Sequence, residues 1–391
     1  MILPDVVAER SCEESFPLRT VLSSVTPVIL KTLLAHAWCP PKGPAWLIIS
    51  LGIDVLKTER IELAHGGGGR LTHELVSRLF KHYFSNPYLD LLYDAAVLPN
   101  QNGRLAFTTD SYVIQPIFFA GGDIGKLAVC GTINDLSMVG AKPLYLTAGY
   151  ILEEGLLYVD LERVVCSMAE AAKEAGVKIV AGDTKVVERG SADKIFINTA
   201  GIGWIPDDVN LSPREIRPGD KIIISGSMGD HGMAILCQRE GLEFSTSLVS
   251  DCASLNGLVQ TILGRHRDVR VMRDPTRGGL ATALVELAQS SGFGFEIGET
   301  SVPVHEGVRA ACELLGLDVF YVANEGKLIT IVSPTEAEAV LRTLQDNPLG
   351  REASIIGQVV ENHPKKVVLR TILGVRRIME MLAAEQLPRI C

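Results

Sequence analysis

Cysteine is thinly spread in this chain of 391 residues: Cys12, Cys39, Cys130, Cys166, Cys237, Cys252, Cys312 and Cys391 stand singly, with no Cys-x-x-Cys pair and no Cys/His cluster. That spacing argues against a structural zinc site. Positive charge is also short. With 37 Lys and Arg against 46 Asp and Glu, the formal net charge is −9, which argues against a nucleic-acid partner because phosphate backbones are held by clustered cations. Any phosphate bound here is expected to arrive with Mg²⁺. Long apolar runs are missing as well. The stretches 20–38 and 46–56 are broken by Lys31, by His36 and by the run Pro40-Pro41-Lys42-Gly43-Pro44, so no membrane span is expected. The acidic start (Asp5, Glu9, Glu13, Glu14) lacks the basic segment that opens a secretory signal. A cytoplasmic protein is expected. Low-complexity segments and short repeats are absent too.

The usual nucleotide fingerprints are also missing. The segment 120–127, Ala-Gly-Gly-Asp-Ile-Gly-Lys-Leu, lacks the first Gly of a P-loop and the Ser/Thr that would hold Mg²⁺. The run Gly66, Gly67, Gly68 and Gly69 fails the dinucleotide pattern at Leu71 and follows no strand. Such a run can still wrap an anion closely or act as a lid.

What is present is enough to bury a sizeable core: 47% of residues are hydrophobic and 21% charged, and the length favours two domains. From residue 61 strand-like and helical runs alternate, giving an α/β (α+β) class. Strands are expected over 104–114, 143–151, 177–181, 194–205, 221–225 and 320–332. Helices are expected over 123–139, 161–175, 232–240, 280–290 and 335–344, the second stopped by Gly176. The polar, Pro-containing stretch from Pro206 to Asp220 reads as a domain boundary. Four segments follow: an atypical extension over 1–60 outside the core, a domain over 61–206, a second over 207–384, and a flexible tail over 385–391 that ends in Cys391.

The chemistry-bearing residues are mostly single carboxylates placed where a strand-like run meets a turn or helix: Asp94, Asp110, Asp135, Asp183, Asp230 and Asp274. Hard Mg²⁺ takes carboxylate oxygens, and beside a triphosphate one or two per ion suffice.

The text around these residues resembles the AIR-synthetase/selenophosphate-synthetase (PurM-like) superfamily, and within it the carbamoyl dehydratases of hydrogenase maturation. The matching segments are His65-Gly-Gly-Gly-Gly-Arg70, Asp94-Ala-Ala-Val97, Thr108-Thr-Asp-Ser111, Gly121-Gly-Asp-Ile-Gly-Lys126, Asn134-Asp-Leu-Ser-Met138 and Gly182-Asp-Thr-Lys-Val-Val187. In the second half they are Gly229-Asp-His-Gly232, Arg273-Asp-Pro-Thr-Arg-Gly-Gly279, Ala323-Asn-Glu-Gly-Lys327 and Leu387-Pro-Arg-Ile-Cys391. The glycine run has Gly67 where an Ala is common in the family, and residues ahead of about 54 have no counterpart.

The resemblance implies a two-domain PurM-like architecture, with an ATP-binding, homodimerising first domain and a mixed α/β second domain. It implies ATP and Mg²⁺ bound by Gly66, Gly67, Gly68, Gly69, Asp94, Asp110, Lys126, Asn134, Asp135, Asp183 and Asp274, with Asp94, Asp110, Asp135 and Asp274 nearest the metal. It implies that a HypF-like carbamoyltransferase loads the thiol of Cys391 and that ATP drives loss of water to a thiocyanate. An iron-bearing HypC–HypD-like scaffold would then accept the cyanide. Lys185 and Glu325 are the expected catalytic partners of Cys391, a Glu accepting the amide proton and a Lys stabilising charge on oxygen. Two rival readings are an ATP-using synthetase acting on a free small molecule and a non-enzymatic nucleotide-binding scaffold. The glycine run holds no reactive Cys, which weakens a selenophosphate synthetase.

Overall fold

The computed structural model describes residues 60–67, 70–91, 96, 98, 103–242, 248–382, 387 and 389–391. Gly68, Gly69, Asp94 and all of the expected N-terminal extension except Arg60 lie outside the described residues. Among the described residues, no helix is long and apolar enough to cross a membrane.

Two mixed α/β layers make up the unit Ile53–Cys391. The first runs β1 (Arg104–Tyr112), α1 (Ile124–Met138), β2 (Lys142–Glu153), α2 (Tyr158–Ala175), β3 (Lys178–Val187) and β4 (Ile195–Ile205). Its strands lie in the order β1–β4–β2–β3, with only the β2–β3 pair parallel, because α2 carries the chain back to the same end of the sheet. In α2 the apolar positions Leu161, Val164, Val165, Met168, Ala171 and Ala172 form the buried stripe that their spacing predicts, and the helix ends at Gly176 in the left-handed region at φ 71°. Helix α1 is buried almost all round. Of its 15 residues only Lys126 and Asp135 escape full burial.

The near-miss P-loop opens this helix as an N-cap. Asp123 accepts the backbone N–H groups of Gly125 at 2.7 Å and Lys126 at 3.1 Å. A carboxylate thus fills the place where a phosphate would sit.

The second layer contains β5 (Lys221–Ile224), α3 (Asp230–Glu240), α4 (Asn256–Arg265), β6 (Val269–Arg273), α5 (Gly279–Ser291), β7 (Gly294–Gly298), α6 (Glu306–Leu315), β8 (Ile329–Val332), α7 (Ala337–Gln345), β9 (Ser354–Val360), β10 (Val367–Arg370) and β11 (Arg376–Met379). The seven strands lie in the order β11–β10–β7–β9–β5–β8–β6. Central β5 is covered on both faces. Ile222 and Ile224 pack with Leu280 and Leu284 of α5, while Ile223 packs with Val259 and Ile262 of α4 and Leu344 of α7. This explains its unbroken apolar run. Truncating Ile223 to Ala would cost about 2–5 kcal/mol.

Two elements depart most from the expected boundaries. Strand β3 continues through Gly182-Asp-Thr-Lys to Val187, because Gly149–Glu153 of β2 pairs with it throughout. The expected strand over 320–332 contracts to Ile329–Val332. Residues 322–328 form a loop instead, because their polar groups are taken elsewhere: the Asn324 N–H donates to the Pro275 carbonyl at 3.0 Å, and the Asn324 side-chain oxygen accepts the Gly229 N–H at 2.8 Å. Gly326 permits the contact. A Cβ there would fall 1.8 Å from the Asp251 carbonyl oxygen.

Candidate active site

A cavity of about 620 Å³ opens between β1, α1 and the turn that joins β6 to α5, and its wall includes Asp110, Asp135, Asp274, Arg277, Glu325 and Cys391. Each arrives by a local rule. On edge strand β1 the period of two turns Thr108 and Asp110 to the side of buried Tyr112. Asp135 is one of the two polar breaks in otherwise buried α1, and Thr108 Oγ1 donates to its Oδ2 at 3.0 Å. Asp274 directly follows β6, and Glu325 sits in the loop before β8. Residues far apart in sequence thus converge from both layers.

Their charges are costly to keep apart from a cation. Burial, then the nearby Asp135 and Asp110, push Asp274 up to about 7. Burial raises Asp135 as well, and Asp110 adds to this. Glu325 is raised well above the usual carboxylate range by burial, then by Asp274, Asp251 and Asp110. Asp251 accepts the Glu325 N–H at 2.9 Å and is itself pushed up to about 6, mainly by burial, with Lys327 Nζ 3.9 Å from its other oxygen opposing the shift. Arg277 lies 3.5 Å from Asp110, and Arg273 on the same wall opposes the rise of Asp135 and Asp274.

The end of the chain lies along the first sheet. Ile390 forms an antiparallel bridge with Ile114, the Gln115 N–H donates to the Arg389 carbonyl at 3.2 Å, and the Val113 N–H donates to the terminal carboxylate of Cys391 at 3.2 Å. Arg389 makes the bend at φ 58° and pairs with Asp193 at 2.7 Å. His231, fully buried on α3, bonds the Ile390 carbonyl through Nε2 at 2.6 Å and Ser250 Oγ through Nδ1 at 2.8 Å. The Cys391 side chain is half-buried and reaches the cavity.

Among the described residues, the other expected site residues do not line this cavity. Lys185 and Asp183 are exposed on β3, the edge strand opposite β1, and the register puts Asp183 in one row with Gly149, Asn198 and Ser111 on the sheet face away from α1. Gly66 packs on the same strand. A Cβ there would fall 2.4 Å from the Val186 nitrogen. Gly67 is the exposed C-cap of the short turn Leu63–Gly66. Lys126 donates to the Gly121 carbonyl at 3.0 Å. Asn134 is buried, with its amide spent on the Ala253 and Glu325 carbonyls and the Leu255 N–H. Asp230 pairs with His305 at 2.8 Å. His231, Asp251 and Arg277 are the residues that sequence reasoning passed over; His231 and Arg277 stood inside quoted motifs, but nothing in the text marks Asp251.

The donor set suits Mg²⁺ by its hard oxygens and by the mutual repulsion of Asp135, Asp110 and Asp274. Among the described residues no three such groups meet as a ready-made metal cage, so phosphate and water oxygens would complete the shell.

Comparison with known proteins fixes the class first. Residues 93–205 match the N-terminal domain of the AIR synthase related proteins and residues 217–370 their C-terminal domain. Carbamoyl dehydratase HypE of Bradyrhizobium diazoefficiens is 52% identical over 332 residues, covering 85% of this chain and 96% of that protein. A solved structure of hydrogenase maturation protein HypE in complex with ATP is 54% identical with a TM-score of 0.82, over 84% of this chain and 99% of that one. A HypE–HypF complex structure superposes with a TM-score of 0.69 at 50% identity, over 79% of this chain and 99% of that one. The chain belongs to the HypE family of hydrogenase-maturation carbamoyl dehydratases, which are enzymes.

Proposed function

We propose that this chain uses ATP to dehydrate an S-carbamoyl group on Cys391 to a thiocyanate, which supplies the cyanide ligand for the iron of nickel-iron hydrogenase. The observation that carries the reading is the shared wall: Cys391 opens into the same cavity as Glu325, Asp135 and Asp274. Amide oxygen is a poor leaving group. Transfer of the γ-phosphoryl of ATP to it makes phosphate the leaving group; the C–O bond then breaks, the nitrogen loses both protons, and the C≡N bond forms.

Glu325 accepts an amide proton. Its burial and the neighbouring carboxylates strengthen it as a base once it is ionised. Asp110, Asp135 and Asp274 would hold Mg²⁺, which when bound neutralises the phosphate charge. Arg277 offers a fixed positive charge on the same wall.

Lys185 stands on the sheet face that also exposes Phe107, Leu105 and Ile151. We place a homodimer contact there, which brings Lys185 to the interface; sedimentation of a Phe107→Glu variant as a monomer would support it, and an unchanged dimer would not. The partners in this reading are a HypF-like carbamoyltransferase, which loads Cys391, and an iron-bearing HypC–HypD-like scaffold, which takes the cyanide. The experiment for the chemistry is Glu325→Gln. The variant should accept the carbamoyl group on Cys391 yet slow its dehydration at least a hundredfold, within the range for removing a general base. Dehydration at the wild-type rate would remove Glu325 from the mechanism.

A further inference from the structure

We propose that His231 is the positioning residue that latches the tail in its docked state, so that Cys391 enters the cavity only while the Ile390 carbonyl is bonded to it. This rests on the reading of Cys391 as the carrier.

The hydrogen-bond chain around His231 assigns every proton. The Cys252 N–H donates to Ser250 Oγ at 3.1 Å. Ser250 can then direct its own O–H to His231 Nδ1 at 2.8 Å, leaving Nε2–H to donate to the Ile390 carbonyl at 2.6 Å. Segment 248–252 is itself anchored, since the Ser250 N–H donates to the Ala120 carbonyl at 2.8 Å. Phe119 packs edge-on against the imidazole with ring centres 5.7 Å apart. Ser250 and Phe119 thus hold the ring in position, and the Ile390 carbonyl, which can only accept, sets the proton on Nε2.

Two features suit a latch rather than ordinary packing. The atom held is a backbone carbonyl one residue before Cys391, so a carbamoyl group on the sulfur leaves the bond untouched. The rest of the tail end is held by the buried side chains of Leu387 and Ile390, by the antiparallel bridge at Ile114, by two backbone bonds and by the half-exposed pair Arg389–Asp193; none of these fixes the Ile390 carbonyl itself. His231 supplies the bond that is fully shielded from water, where hydrogen bonds are strongest.

The test reads tail docking directly. The full-length protein is treated with N-ethylmaleimide, and labelling of Cys391 is followed by mass spectrometry of the C-terminal peptide. His231→Leu, which lacks the donor, should label about tenfold faster than wild type, the factor expected for losing one buried hydrogen bond. His231→Gln, whose amide can reach the same carbonyl, should restore most of the protection. Cys237, buried on the same helix, is the control and should label at the wild-type rate in every variant. A wild-type rate for His231→Leu overturns the latch, and so does a rise at Cys237 equal to that at Cys391, which would report only a loosened helix. If His231→Leu fails to fold, Ser250→Ala carries the test, because it frees the imidazole to turn. It should speed Cys391 labelling several-fold, and an unchanged rate overturns the proposal. Labelling needs neither ATP nor a carbamoyl donor, so the latch and the dehydratase reading stand or fall separately.

Discussion

Asn134 on α1 donates through Nδ2 to the backbone carbonyl of Glu325 at 3.2 Å, and this bond sets the loop of the second layer against the helix of the first. The same side chain bonds the Ala253 carbonyl at 3.0 Å and accepts the Leu255 N–H at 2.8 Å. Because α1 also carries Asp135, one residue away, the bond fixes the distance between a proposed metal-site carboxylate and the proposed base.

Asn134→Ala should therefore leave three buried backbone groups without partners. At about 1–3 kcal/mol for a buried unsatisfied group, partly relieved by water, a loss of about 3 kcal/mol in unfolding free energy is expected. Urea denaturation checks this, and dehydration by the folded fraction should slow as Glu325 loses its support.

Asp274 gives a pH dependence of known sign. Its carboxyl is raised to about 7 in the folded protein, against about 3.9 when unfolded. A raised acid contributes stability that is full below the unfolded value and is lost as pH rises through the folded one. Without metal, Asp274→Asn should thus exceed wild type in stability by up to about 4 kcal/mol at pH 8, and the difference should vanish near pH 4. Mg²⁺ should reverse the order at pH 8 by stabilising only the wild type, as thermal melts with and without Mg·ATP would show. Equal melts for the two proteins at every pH would contradict the carboxylate cluster.

His231 behaves in the opposite sense. Burial holds it down to about 4, below its ordinary value of about 6.5. Its contribution is full above the unfolded value and is lost as pH falls through the folded one. Relative to His231→Gln, wild type should lose about 2 kcal/mol between pH 7 and pH 5. Denaturation curves at the two pH values measure it; parallel losses in both proteins would mean that the imidazole is not buried as a neutral ring.

Much of this was legible in the sequence, for reasons that differ by residue. Helix α2 was readable because its stripe is amphipathic and Gly176 ends it, and β5 because both of its faces are buried. The short strands β7, β10 and β11 left little periodicity to read, at four or five residues each. The loop carrying Glu325 looked like a strand because Phe320, Val322 and Ala323 are apolar, whereas tertiary hydrogen bonds to Asn324 decide its shape. Asp110, Asp135, Asp274, Glu325 and Cys391 each stood in a recognisable segment. Their meeting in one cavity was expected from the family resemblance alone and not from periodicity or spacing, since it depends on how two sheets pack. The same limit hid Lys185, whose motif gives its identity but not the face it occupies.

The central claim, that Cys391 carries the reacting group, is tested most directly by intact-protein mass spectrometry. The protein is incubated with a HypF-like carbamoyltransferase and carbamoyl phosphate, and Mg·ATP is then added. The account predicts one carbamoyl adduct on the wild-type chain, mapped to Cys391, that loses the mass of one water when ATP is present. It predicts no adduct on a Cys391→Ala chain that still folds and binds Mg·ATP. A thiocyanate formed on the Cys391→Ala protein, or an adduct on Cys391 that never loses water, would contradict it.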